Sequence, residues 1–262
     1  MGTSERKQRE REEREELIIG QAAALLLREG FQGLNLDVLA QAIEYAKGTI
    51  YQHFRTKEDL VLAVATRALR ERAQLFERAA AFTGRSRERM RAVGVACCQF
   101  AIAHPDYFQI DLMLRAQSFW EQASPERRQA NGREGERCTR VMGAIVTDAQ
   151  RMGDLPARLT PGAVSFSLIA MTMGSHTMAL EPEIQRLCSL ADPLKATRIN
   201  QDLVCDGLGW RPLLADWDYA ATDRRIRAEV FPEAVWLEDA PPIATATRRT
   251  RGRTPSRRKA SR

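Results

Sequence analysis

Residues 18–60 read IIGQAAALLLREGFQGLNLDVLAQAIEYAKGTIYQHFRTKEDL, and the fold follows from how this stretch is punctuated. An amphipathic helix runs from Leu17 to Arg28, with Ile18, Ala22, Leu25 and Leu26 spaced along one inner face and Gly30 as its stop. Asn35 is placed to cap a second helix from Leu36 to about Ile43. A third short helix covers Lys47 to His53. Thr56-Lys57-Glu58-Asp59 then has the form of a capping box, opening a long helix to about Ala81. Three short helices, the last two joined by a tight turn, make a helix-turn-helix skeleton.

The third helix is too short to be stable alone, so its neighbours must hold it. Ile50 and Phe54 lie four apart and face inward, against Leu39 and Ile43. Lys47, Thr49, Tyr51 and His53 are left outward or flanking. Gly48 lets the helix start approach a phosphate or base edge closely. Lys47 supplies charge, and Thr49 and Tyr51 supply hydroxyls for DNA contacts. Lys57 is placed for a further phosphate. From Tyr45 to Lys57 there are three basic residues, no acidic one and a histidine. The alternatives are a solvated charged face for Lys47, Arg55 and Lys57, a surface histidine at His53, and a Tyr51 that only covers a helix interface.

These residues stand in a recognisable order: Gly30-Phe31, Leu39-Ala40, Lys47-Gly48-Thr49-Ile50-Tyr51-Gln52-His53-Phe54 and Lys57-Glu58. In that order the stretch resembles the DNA-binding domain of TetR/AcrR-type transcriptional regulators. The resemblance implies an all-α chain, with an N-terminal three-helix helix-turn-helix domain joined to a larger helical domain for effector binding and dimerisation. It implies DNA contacts from Lys47, Gly48, Thr49, Tyr51, His53 and Lys57, with Asn35 nearby, on a double-stranded operator. Two positions depart from the pattern. Glu44 stands where such sequences usually have glycine, and Ala46 where they have a small hydroxyl residue. The first has to take the turn at a strain cost if φ is positive there, and the second removes a helix cap.

Downstream the periodicity stays helical. Helices are expected from Ser86 to about Ala103, from the His104-Pro105 break to about Ser118, and from Ser124-Pro125 to near Gly153. Thr160-Pro161 and Asp192-Pro193 repeat that start for helices over 161–180 and 193–208. Residues 209–240 are ambiguous. The chain thus divides into a charged extension (1–16), the helix-turn-helix domain (17–62), a helical effector-binding and dimerisation domain (63–240) and a basic tail (241–262) expected to be disordered. A ligand pocket is expected to draw on Phe100, Phe108, Met113, Phe119, Met142 and Ile145, for an apolar or amphipathic effector. The resemblance implies a dimer built on the last two main helices, and a stripe of Val164, Leu168, Met171, Ser175 and Met178, with Ile199 and Leu203, is its expected interface. The vicinal Cys97-Cys98 pair reads as small buried hydrophobes before it reads as a redox sensor.

Composition bounds these readings. The chain has 262 residues, 44% of them apolar and 28% charged, which suits a folded protein with a real core. Its formal charge of +6 sits entirely in residues 248–262, where eight basic residues face no acidic one. Five cysteines without metal-ligand spacing and no opening signal-like stretch point to a reducing cytoplasm, with no cofactor or metal expected. No phosphate-cradling glycine loop, nucleophile elbow or metal cluster argues for an enzyme. Residues 159–180 lack any charged side chain. With the basic tail, they keep open a membrane-associated interaction protein as the rival class. The polar residues within that stretch and Pro161 at its start favour a helix buried between protein surfaces, and so no membrane partner.

Overall fold

A computed structural model describes residues 2–105, 107–114, 117–179, 181–189 and 192–234, and these are helical with no strand among them. The expected tail, 241–262, lies outside the described residues. Helix α1 (Thr3–Gly33) takes in the charged extension, and its regular path breaks at Gly30 (φ 69°). Gly30 is therefore the stop that the sequence indicates, and only a residue without Cβ enters that conformation cheaply. Helices α2 (Leu36–Ala42) and α3 (Lys47–His53) follow, then α4 (Lys57–Ala80). Asn35 and Thr56 cap α2 and α4 by accepting the Asp37 and Asp59 amides at 2.8 and 3.0 Å.

The larger part holds α5 (Ser86–Ala103), α6 (Tyr107–Leu114), α7 (Gln117–Gln122) and α8 (Pro125–Arg151), then α9 (Pro161–Ala179), α10 (Pro182–Leu187), α11 (Pro193–Gly207) and α12 (Tyr219–Glu229). Thr160 and Asp192 cap α9 and α11 through the Ala163 and Lys195 amides, as the Thr-Pro and Asp-Pro pairs indicate. Ser124 occupies the cap position of α8, but its side chain makes no capping bond. Its amide instead donates to Asp59 Oδ1 at 2.7 Å, so a carboxylate of α4 holds the entry to α8. The ambiguous region 209–240 contains the fully buried Trp210, whose indole donates to Ser86 Oγ, and α12, which packs on α5.

The expected boundary at 62/63 falls inside α4. That helix is continuous, and its first half, Leu60 to Ala68, completes the core of the helix-turn-helix unit. The same core takes in Phe100, Phe108 and Phe119. The second half, from Leu69 to Ala79, belongs to a separate core with α5, α8 and α9. The two parts therefore share α4, the long helix that the capping box at Thr56 indicates.

Candidate DNA-reading face and ligand cavity

On α3, Ile50 and Phe54 are completely buried, which anchors the helix as the sequence indicates. The opposite side exposes Lys47, Gly48, Tyr51 and Gln52 at spacings of four. Gln52 was missed in the sequence. The signal was its position four after Gly48 and its amide, a group suited to base edges. A Cβ on Gly48 would meet nothing within 4 Å, so no internal contact demands glycine there. Lys47 reaches the Asp37 carboxylate at 2.8 Å, and that hydrogen bond raises its pKa. Thr49 is half-buried at the edge of the face.

Three of the expected contacts are placed differently. The His53 side chain is 4% exposed and lies 3.3 Å from Glu15 Oε2, so it faces the protein and not the outward side. Lys57 rests 4.2 Å above the Phe31 ring, where burial lowers its pKa. Asn35 spends its carbonyl oxygen on the cap of α2. The turn before α3 carries both departures from the usual pattern. Glu44 has φ 56°, and Ala46 occupies the N-cap position with no side-chain hydrogen bond.

Beneath the reading helix lies a joint to the larger part. Arg127, at the start of α8, pairs with Glu15 at 2.7 Å, donates to the His53 carbonyl at 3.1 Å and stacks 4.7 Å over Phe54. Burial would raise the Glu15 carboxyl, but Arg127 and then His53 overcome it and hold it below the usual carboxylate range. Nothing local announces this joint, because its members lie 38 to 112 residues apart.

The larger part encloses a cavity of about 240 Å³ between α4, α5, α8, α9 and α11, with Asp111 of α6 and Tyr219 of α12 also in its lining. Of the expected pocket residues only Met142 lines it. Phe100, Phe108, Phe119 and Ile145 belong to the buried core and are not among the lining residues. The side chain of Met113 lies outside the described residues. Apolar walls come from Phe76, Val93, Met142, Leu168, Ile169 and Met173. Gly94 lies against the amide of Gln201, with its ideal Cβ position only 2.3 Å from Gln201 Oε1, so any side chain there would displace that amide.

Three arginines at one end of the cavity are matched by carboxylates. Arg91 holds Asp202 and Asp223 at 2.7–2.9 Å, Arg198 holds Asp223 at 2.6 Å, and Arg87 holds Asp206 and the carbonyls of Trp210 and Pro212. Burial pushes the Cys97 thiol up to about 11 and that of Cys98 to about 12, which fits small buried hydrophobes and not reactive thiolates. His176 is stacked 4.5 Å from Phe108, and burial brings its pKa down to about 4. Among the described residues no group of three His, Cys, Asp or Glu side chains clusters as metal ligands would. No described helix is long and apolar enough to cross a membrane.

Comparison with known proteins places the front of the chain directly. Residues 18–64 match the family described as bacterial regulatory proteins, tetR family. The N-terminal unit is a TetR-family helix-turn-helix domain. About three quarters of the chain has the fold of such regulators. A TetR/AcrR transcriptional regulator from Thermobifida fusca superposes with a TM-score of 0.59 at 21% identity, over 74% of this chain and 98% of that one. SmeT of Stenotrophomonas maltophilia, the repressor of the multidrug efflux pump SmeDEF, superposes at 0.53 and 19% over 74% and 89%. FadR of Bacillus subtilis, solved with stearoyl-CoA, superposes at 0.55 and 17% over 72% and 97%. None of the curated proteins matches the sequence. The match ends at residue 64, within α4, the helix that both parts share.

Proposed function

We propose that the protein is a dimeric, ligand-responsive repressor of the cytoplasm that reads a palindromic operator with α3. The observation that carries this reading is the outward face of α3 within a TetR-family domain: Lys47, Gly48, Tyr51 and Gln52 stand above a fully buried Ile50 and Phe54. Lys47 serves a phosphate, Tyr51 and Gln52 serve phosphate or base edges, and the open position at Gly48 leaves room for close backbone approach. Lys57 and Thr49 act from the edge of this face. His53 supports it from below.

The dimer face differs from the expected stripe. Val164 and Leu168 are 0% and 4% exposed and belong to the protomer's own core. The exposed stripe of α9 runs through Phe166, Ala170, Gly174 and Met178, the last of which it shares with the expected stripe. Beside it on α11 stand Ile199 and Leu203, and Met171 and Ser175 are half-buried at its edge. Phe166 is 72% exposed and Leu203 62%, a paired apolar surface that a second copy of this chain would cover in a two-fold arrangement. Two reading helices about one DNA turn apart then require a palindromic site. The cavity between α4 and α8 is the effector site, and occupancy shifts the dimer between DNA-competent and released populations.

The test is DNA capture across a genome with the purified protein, followed by titration of a recovered site. Tyr51→Ala and Lys47→Ala each weaken binding to that site, and Phe166→Glu with Leu203→Glu yields a monomer in sedimentation. Unchanged affinity and salt slope in both α3 variants would refute the reading face. A wild-type monomer at micromolar concentration would refute the dimer.

A further inference from the structure

Arg72, on α4, lines the cavity and differs from the other three arginines there. Its neighbours are the Cys138 thiol and the faces of Phe100 and Tyr107, at 5.5 and 5.3 Å, and no carboxylate pairs with it among the described residues. Burial holds Cys97 near 11 and raises Cys138, so both thiols stay protonated at neutral pH and neither offsets the guanidinium. Nor is its hydrogen bonding complete: Nε is buried without a partner. A guanidinium cannot shed its proton, and a buried donor left unmade is costly. Arg72 therefore brings to the cavity a guanidinium that no described carboxylate pairs with, with donor capacity to spare, against walls made of Phe76, Met142, Leu168 and Met173; Asp111 of α6 also lines the cavity.

Those two properties define a ligand. We propose that the cavity binds an amphipathic monoanion, a carboxylate on an apolar body, with its head on Arg72 and its body along the α8–α9 wall. A cavity of about 150 Å³ lined with aliphatic and aromatic side chains holds benzene, so the 240 Å³ here takes a single ring or a medium alkyl chain with its carboxylate. Discrimination comes from the head, since a charge-assisted bond to arginine outweighs a neutral one. This deepens the effector reading given above and rests on it.

The probes are octanoate and its neutral counterpart 1-octanol, measured by calorimetry on the full chain. Octanoate binds on the order of tenfold or more tighter than 1-octanol, as loss of one charge-assisted hydrogen bond implies. Arg72→Met reverses or abolishes that preference. Arg72→Lys keeps it in weaker form and guards against misfolding of the methionine variant. Met142→Trp, which fills the cavity from α8, blocks both probes and shows that binding is in this cavity. Equal affinity for the two probes, a preference that survives Arg72→Met, or no binding of either would overturn the proposal. Octanoate binding that leaves operator affinity untouched would sustain the anion site and refute the effector reading.

Discussion

Glu44 is the most direct test of how this turn was built. It sits at φ 56° between α2 and α3, a conformation that costs a residue with Cβ about 1–2 kcal/mol. Glycine removes that cost but gives the unfolded chain extra freedom worth about 0.4–1 kcal/mol. Glu44→Gly therefore stabilises by about 0.5–1 kcal/mol, or about 2 °C in Tm for a chain of this size. The turn's backbone bonds, Glu44 N–H to Gln41 O at 3.2 Å and Tyr45 N–H to Ala40 O at 2.9 Å, remain available to glycine. The side chain is also a negative charge beside the DNA-reading helix. Glu44→Gln separates the two effects, since it removes the charge and keeps the strain. Scanning calorimetry should show a raised Tm in the glycine variant alone, while DNA titration at low salt should show both variants gaining affinity, on the order of twofold. A glycine variant no more stable than the glutamine one would refute the strain argument.

Asp37→Asn releases Lys47 from its 2.8 Å partner, so the DNA salt slope should steepen by about 0.9, one additional phosphate contact. Unaltered slope and affinity would show that Lys47 does not reach the backbone. Arg127→Ala and Glu15→Gln should each lower thermal stability, and in a double-mutant cycle they should show coupling of about 1 kcal/mol because they share one partly buried pair. Strictly additive losses would show that the joint is not a unit. Deleting residues 248–262 should lower non-specific DNA affinity and its salt dependence while sparing operator choice. Competition between operator and random DNA measures this, and lost discrimination would count against it.

Punctuation made the fold legible. Gly30, Asn35, Thr56, Thr160 and Asp192 act locally, through φ or a single capping bond, and each stands where the chain indicates. The inward pair Ile50 and Phe54 was equally plain, because two residues four apart in a short helix can serve only one face. What depended on remote partners was not visible. His53 looked free until Glu15, 38 residues earlier, took it up. Val164 and Leu168 of the expected stripe are buried in the protomer while Met178, Ile199 and Leu203 are exposed, because α9 is apolar nearly all round and periodicity could not say which side the protomer keeps for itself. The large aromatic residues suggested a pocket but filled the core, since a cavity arises where helices diverge and not where they bury most.

The same remoteness explains how a cavity could govern α3. Helix α4 carries Asp59, which holds the entry to α8, and about 20 Å further along it carries Arg72. Helix α8 carries Arg127 at the joint and, about 22 Å along, Met142 at the cavity. These two helices form the most extensive pair in the fold, and each spans the distance from reading unit to ligand site without a break. A packed interface of this kind shifts between discrete arrangements and does not bend gradually. On the proposed effector reading, closing or spreading α4 and α8 at the cavity is the route by which Asp59 and Arg127, and with them α3, would move. Tenfold release from DNA needs only about 1.4 kcal/mol of differential binding between the two arrangements. One anion, seated on Arg72 in one arrangement and less well in the other, is sufficient to supply it.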